Sequence, residues 1–301
     1  MVDRLRSALS ALGAVLTGAG VLILLFVAYQ LWGTGLYTSR QQDSLRSQFN
    51  QKAKIVDPAS STTSTTIDPL HLPPPPPSGE SVANIRIPKI GVDKYVVQGV
   101  GLADLRKGPG HYPQTPLPGE QGNAAIAGHR TTYGAPFNRL DELAPGDEVL
   151  VTTVKGSFTY TVATTHVVKP DQVEVLDPTP TATLTLTTCN PKYSASQRLI
   201  VVANLAPGQK VTAPTPGPPA PAPGSKEPLP GEGLGDAGLA SGKSKVPTIL
   251  WGIVTALIGF GWWWTIRKRR HWTRYLGGVV PFLVALFYFY AHLELLLPAN
   301  F

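Results

Sequence analysis

Cys189 is the only cysteine among 301 residues, and it closes the run Thr183-Leu184-Thr185-Leu186-Thr187-Thr188-Cys189. A thiol attacks as its thiolate, so chemistry here needs a neighbour that lowers the pKa from about 8.5. Three histidines share this part of the chain. His111 lies in a turn-rich Gly-Pro-Gly-His-Tyr-Pro loop, His129 follows a short apolar run in Gly128-His129-Arg130, and His166 closes a long strand-like run. Arg198 heads the apolar run Leu199-Ile200-Val201-Val202. Such a set could perform nucleophilic acyl transfer: a thiolate attacks a carbonyl, an imidazole moves the proton and a guanidinium hydrogen-bonds the oxyanion. Spacing alone does not choose among the histidines, and Arg198 also reads as the partner of a surface carboxylate. No Cys/His cluster has zinc-ligand spacing, so neither a metal nor a cofactor is expected.

The strand carrying the thiol adds a second constraint. Side chains alternate between faces along a strand, so Leu184 and Leu186 share one face while Thr183, Thr185, Thr187 and Cys189 share the other. Cys189 is thus expected on a polar face at a strand end, where a site would be open. A bulge would shift the register by one residue and reverse this. A lone cysteine outside the cell is buried and inert, bridged to another chain, or kept for chemistry.

The elements that must position these groups are short and β-like. Residues 83–88, 92–98, 123–128, 147–154, 157–168, 183–189 and 198–203 are rich in β-branched or alternating residues and end at Gly, Pro or Asp clusters, which predicts strands. Lys155-Gly156 reads as a hairpin turn, and residues 137–143 as a short helix ended by Pro145-Gly146. If residues 190–197 join two antiparallel strands, Arg198 returns beside Cys189. Seven or more strands with little helix imply a closed β-barrel or a sandwich, and the pattern leaves that choice open. These strands fall in one domain of ordinary size, residues 81–209.

The flanks cannot bury a core. Residues 37–80 read as a Ser/Thr/Pro-rich extracellular stalk, with a Ser/Thr cluster at 60–66 and prolines at 73–77. Residues 210–245 form a second, Pro/Gly-rich linker. Residues 1–36 hold an uncharged apolar run at 9–32 preceded by Arg4 and Arg6, long enough to cross a bilayer core of ~30 Å with the amino end inside. A cleaved signal peptide is the rival reading, but the run exceeds the usual h-region of about 7–15 residues and lacks an A-x-A site. Two more spans are expected at 246–266 and within 275–301, separated by a cytoplasmic loop at 267–274 with Arg267, Lys268, Arg269, Arg270 and Arg274. Trp262, Trp263, Trp264 and Trp272 mark the interface, and His292 and Glu294 read as interfacial. Three spans place residues 37–245 outside the cell membrane. The formal net charge is +7, and removing those five positive charges leaves +2. The basic balance therefore follows from topology, and no nucleic-acid partner is expected.

Several motifs also carry a family resemblance. TLTTC followed by a short loop and RLIVVA resembles the sortase signature, TLxTC with a downstream arginine, and Gly128-His129-Arg130 resembles the segment around the sortase histidine. AGHRTTYGAPFNRLDEL, PGDEV, VLDPT and LTTCNPKYSASQRLIV are most similar to class E, the actinobacterial housekeeping type. The resemblance covers residues 84–203, with the motifs in order. It implies an all-β fold: an eight-stranded sortase-type β-barrel with short helices, here accompanied by one N-terminal and two C-terminal transmembrane helices. It further implies Cys189 as nucleophile, His129 as general acid/base, Arg198 as oxyanion and substrate stabiliser, and Thr188 as a residue shaping the substrate groove. The implied activity is that of a membrane-anchored cysteine transpeptidase of Gram-positive bacteria. Such an enzyme cleaves an LPxTG-like sorting signal of a secreted protein between Thr and Gly, and passes the acyl group to a cell-wall precursor amine. Class E implies a preference for LAxTG, with Tyr112 a candidate reader of the alanine.

Two departures accompany the resemblance. The C-terminal spans are not the usual housekeeping plan and are closer to class C enzymes. The class C lid pattern of Asp-Pro-aromatic is not met by Asp57-Pro58-Ala59 or Asp68-Pro69-Leu70. Other wall thiol enzymes fit less well: an L,D-transpeptidase needs His-Gly-Cys, and an NlpC-type peptidase places its cysteine before its histidine. The alternative of a different class is a non-catalytic anchored β-domain that binds a wall component or partner.

Overall fold

The computed structural model describes residues 2–56, 76–213, 245–268 and 272–294. The chain divides into two compact units, Met1–Gly33 with Asp236–Pro298 and Thr34–Gly235 with Ala299–Phe301.

In the second unit eight strands close into a barrel. They are β1 (Ser81–Ile87), β2 (Val92–Gln98), β3 (Gly110–His111), β4 (Asn123–Ala127), β5 (Glu148–Thr153), β6 (Gly156–Val168), β7 (Thr183–Asn190) and β8 (Gln197–Leu205), in the order β1-β2-β3-β4-β7-β8-β6-β5. Closure leaves no sheet edge open and decides between the two architectures the pattern allowed. The β4–β7 and β2–β3 pairs are parallel, and the rest are antiparallel. Alternation fills the lumen: Ile85, Val96, Ile126, Val151, Tyr160, Leu184, Leu186 and Val201 are all fully buried in one core cluster. Each such side chain stabilises the fold by about 1.5–3 kcal/mol relative to its exposed state.

Three elements differ from expectation. Gly110-His111, read as loop, forms the two-residue β3 that bridges β2 and β4, too short for alternation to register. Of the helix expected at 137–143, only Leu140–Glu142 is helical, as a 3-10 turn. A four-residue helix, α3 (Leu102–Leu105), sits between β2 and β3.

The largest correction concerns the stalk. Its first part is helical, because α2 (Thr34–Val56) packs on the barrel. Leu45 and Phe49 lie one turn apart and are buried, as are Thr34 and Thr38, which makes one continuous helix stripe. Gln42 extends the stripe as a substitute strand residue. Its Nε2 donates to the Tyr95 and Lys107 carbonyls at 2.9 Å each, and its Oε1 accepts from the Tyr95 N–H at 2.7 Å. Lys52 Nζ meets Glu80 at 2.8 Å. The stripe holds only two large apolar residues, so hydropathy does not reveal it. The remaining stalk at 57–75, with Asp57-Pro58-Ala59 and Asp68-Pro69-Leu70, lies outside the described residues, as do the linker at 214–244 and residues 269–271 of the basic loop.

The first unit contains α1 (Val2–Ala28), a π-helical turn (Tyr29–Gly33), α4 (Val246–Lys268) and α5 (Trp272–Glu294). Helices α4 and α5 pack antiparallel: Thr248 Oγ1 donates to the His292 carbonyl at 3.1 Å and Trp251 stacks on Tyr288 at 4.7 Å. Farther along the pair, Gly259 admits the ring of Phe282. Helix α1 joins them, with Tyr290 Oη donating to the Leu22 carbonyl at 2.7 Å. Two helical stretches, Leu16–Lys54 and Val246–Thr265, are long and apolar enough to cross a membrane, whereas Gly277–Leu293 is apolar but shorter. The expected count of three spans is thus reduced to two that meet the length requirement among the described residues.

Candidate active site

Three strand ends bring the chemical side chains together. β7 and β8 pair antiparallel with Cys189 opposite Arg198, and directly opposed residues point to the same face of a sheet. On its other side β7 pairs parallel with β4, up to Ala127 opposite Thr187. The ladder then runs on: Gly128 N–H donates to the Thr187 carbonyl at 3.0 Å, and Thr188 Oγ1 donates to the Gly128 carbonyl at 2.7 Å. His129 follows directly, one residue past this last contact, as Cys189 follows Thr188. Of the three histidines, His129 is the one next to this β4–β7 contact. His111 is buried on β3 and His166 is exposed on β6.

His111 has a different environment. Its Nδ1 lies 2.9 Å from Gln98 Oε1 and its Nε2 lies 2.9 Å from the Pro116 carbonyl. Burial pushes its pKa down to about 4, with the Pro116 carbonyl and the Glu120 charge opposing. The ring is neutral at pH 7. A neutral ring has one N–H, so it can donate to only one of these two oxygens at a time.

The expected separation of faces holds, but the expected openness does not. Leu184 and Leu186 enter the barrel core, and Cys189 does not join that cluster. The threonine face is itself covered. Thr185 and Thr187 are buried, and Cys189 is 9% exposed. The cover is a second cluster of Val100, Leu105, Tyr112, Ala125 and Ala127, packed with Leu176. Asn123 ties it down, donating to the Val175 and Asp177 carbonyls while accepting from Thr185 Oγ1 at 2.7 Å. The segment between β2 and β4 supplies most of this roof, which no local pattern foretells.

The two expected substrate residues are both engaged within the protein. Tyr112 is 1% exposed, and its hydroxyl lies 3.1 Å from Thr187 Oγ1. Thr188 is buried and ties β7 to the residue before His129. Gly128 is needed for that approach, since a Cβ there would come within 2.6 Å of the Phe137 ring.

Arg198 is 4% exposed. Its Nη1 donates to the Ala195 and Gln197 carbonyls at 2.9 and 3.0 Å, and its Nη2 is buried with no hydrogen-bond partner among the described residues. Burial pulls its pKa down, and Tyr112 opposes the shift. One arm of the guanidinium thus braces the β7–β8 loop, and the other keeps a donor available for a carbonyl or oxyanion.

Arg130 was read from sequence only as part of the histidine motif. Its Nη1 donates to the Cys189 carbonyl at 2.9 Å and to Asn190 Oδ1 at 2.7 Å, and its Nη2 meets Asp141 at 3.0 Å. The available signal was an arginine at the same strand end as His129, with an aspartate in the following loop. Taken together, a buried thiol lies opposite a guanidinium with a spare donor, and a histidine follows the glycine bonded to the thiol's strand, groups of the kinds that acyl transfer uses. Among the described residues, no group of His, Cys, Asp and Glu side chains could hold a metal ion.

Comparison with known proteins fits this geometry. Residues 85–206 match the family described as "Sortase domain". The chain is 34% identical to sortase SrtE1 of Streptomyces coelicolor over 207 residues, 64% of this chain and 55% of that protein. It is 29% identical to sortase SrtE2 of the same organism, over 68% of this chain and 84% of that protein. The chain therefore spans little more than half of the first relative's length. The solved structure of sortase E from Streptomyces avermitilis is 42% identical with a TM-score of 0.40, covering 44% of this chain and 91% of that one.

Proposed function

We propose, on the premise of the sortase-family match over residues 85–206, that the barrel is a cysteine transpeptidase for secreted proteins bearing a C-terminal sorting signal. What supports this reading is that Cys189 lies opposite Arg198, whose buried Nη2 has no hydrogen-bond partner among the described residues, and that Gly128, just before His129, is bonded to Thr188, just before Cys189. The Cys189 thiolate attacks the carbonyl between Thr and Gly of an LAxTG- or LPxTG-like signal. The tetrahedral oxyanion accepts from Arg198 Nη2. The C–N bond then breaks as His129 passes its proton to the departing glycine amine, which leaves a thioester. A cell-wall precursor amine enters, gives a proton to the now neutral His129 and displaces the thiolate. Burial of the site limits water and so favours transfer over hydrolysis. Thr188 and Tyr112 shape the acyl side of the groove from beneath, where Tyr112 lies close enough to Arg198 to affect its charge.

The proposal includes membrane anchoring, with the barrel on the outer side. The part of Leu16–Lys54 that precedes α2, and Val246–Thr265, supply two crossings. α5, a helix of 23 residues packed along α4, supplies a third, being roughly 35 Å long. The basic residues between α4 and α5 face the cytoplasm.

The test is cleavage of fluorogenic LAxTG and LPxTG peptides by the full chain in detergent, with and without a glycine or diaminopimelate-type amine. Cys189→Ala is expected to abolish cleavage without unfolding the barrel. Cleavage that persists in Cys189→Ala would remove the nucleophile assignment and leave the non-catalytic wall-binding domain as the better reading.

A further inference from the structure

We propose that helix α2 is part of the catalytic apparatus: through Thr34 it fixes Tyr133, whose ring sets the position of His129. This rests on the reading of His129 as the acid/base of the proposed reaction.

His129 lies beyond the last strand pair of β4, where the sheet no longer constrains it. Its main chain is held by the Phe137 N–H, which donates to the His129 carbonyl at 3.1 Å. Its imidazole lies against the Tyr133 ring, with centroids 5.0 Å apart and planes at 36°. Such a ring contact limits the torsions of the imidazole and so fixes where its ring nitrogens point.

Tyr133 occupies an unfavourable backbone state. Tyr133, Gly134 and Ala135 have φ of 52°, 72° and 41°, and two of these three left-handed residues carry a Cβ. Such a run persists only where its surroundings over-determine it. Helix α2 supplies that determination from far away in sequence. The Tyr133 N–H donates to Thr34 Oγ1 at 3.1 Å, and Thr34 is fully buried. One turn along α2, Thr38 Oγ1 donates to the Arg106 carbonyl at 2.9 Å, and the Arg106 guanidinium lies 5.4 Å from the Tyr133 ring centroid. Two threonines on one face of α2 thus hold the main chains of Tyr133, which contacts the imidazole, and of Arg106, which covers the Tyr133 ring.

A purely structural role for α2 would involve Gln42, Leu45 and Phe49, about two to four turns from Thr34 along the helix. Those contacts are untouched by changes at Thr34, which allows the two roles to be separated.

The test uses the full chain in nanodiscs, with Thr34→Val and Tyr133→Leu set against the conservative Thr34→Ser and Tyr133→Phe. The readouts are peptide-cleavage kinetics, thermal stability and the His129 ring proton in histidine-labelled protein, assigned by its loss in His129→Gln. Thr34→Val and Tyr133→Leu are expected to lower kcat about 10-fold with KM changed less than about 2-fold. Both should move the His129 resonance as the ring current of Tyr133 is lost or displaced, and the conservative variants should restore both readouts. If His129→Gln retains activity, the acid/base reading itself fails. If His129→Gln is inactive while Thr34→Val and Tyr133→Leu keep wild-type kcat and an unmoved His129 resonance, the role of α2 is refuted and the acid/base reading stands.

Discussion

Replacing Arg130 with methionine separates the buried and exposed halves of its contacts. Methionine keeps an unbranched stem and removes the guanidinium. On the inner side, Nη1 donates to the Cys189 carbonyl and Asn190 Oδ1. On the outer side Nη2 meets Asp141, whose side chain is 45% exposed against 4% for Arg130. An ion pair with one partner in solvent contributes ~0–1 kcal/mol. A charge-assisted bond to a buried carbonyl contributes about 1.5–3 kcal/mol. The Arg130 Nε is buried with no hydrogen-bond partner among the described residues, a desolvation cost that methionine relieves in part. The expected losses are therefore about 2–3 kcal/mol for Arg130→Met and about 0.5 kcal/mol for Asp141→Asn. For a domain of this size they correspond to falls in Tm of roughly 10 °C and 2 °C. The carbonyl that is released belongs to the proposed nucleophile's own residue, so kcat should also drop, by about 10–100-fold. Differential scanning fluorimetry and fluorogenic-peptide kinetics on the full chain measure both effects. Equal losses in Arg130→Met and Asp141→Asn would show that the exposed pair dominates, and an unchanged Tm in Arg130→Met would overturn the reasoning altogether.

Three further outcomes are expected. His111 is held near pKa 4 when folded against 6.5 as its ordinary value, so the unfolded state binds the extra proton as pH falls. Its stabilising contribution is complete above pH 6.5 and is lost between 6.5 and 4, about 3 kcal/mol in all; urea titrations of His111→Gln should lack that part of the acid slope, and an unaltered slope would contradict the assignment. Tyr112→Phe removes the hydroxyl shared with Thr187 Oγ1 and, if Tyr112 shapes the groove, should shift the LAxTG-to-LPxTG ratio of kcat/KM by about 3–10-fold; an unchanged ratio would leave Tyr112 as packing. Gln42→Leu deletes the three bonds between α2 and the barrel backbone and should cost about 1–3 kcal/mol, visible as a lower midpoint in urea, whereas a midpoint equal to wild type would show that water replaces the amide at no cost.

Much of the barrel was legible because its information is local. The runs at 92–98, 157–168 and 183–189 show β-branched alternation between Gly, Pro and Asp stops, and β2, β6 and β7 lie there. The Cys189–Arg198 juxtaposition was equally local, since a short loop between antiparallel strands returns the chain to its starting point. The choice of His129 from residue types and spacing was not. It depends on the parallel pairing of β4 with β7, whose partners lie 60 residues apart, and parallel partners carry no hairpin signal.

The sequence by itself determined where the long apolar segments, the strands and the lone thiol lie, because hydrophobic period and composition are properties of neighbouring residues. Tertiary structure alone decided that the strand end before His129 meets the strand end before Cys189, that the threonine face is roofed, and that α2 belongs to the barrel. The physical reason is that these contacts join polar groups to distant backbone. Gln42 reads Tyr95 as a strand would, and Thr34 receives an N–H 99 residues away. No hydrophobic pattern marks a partner whose attraction is one hydrogen bond, so only the folded register brings such pairs into view.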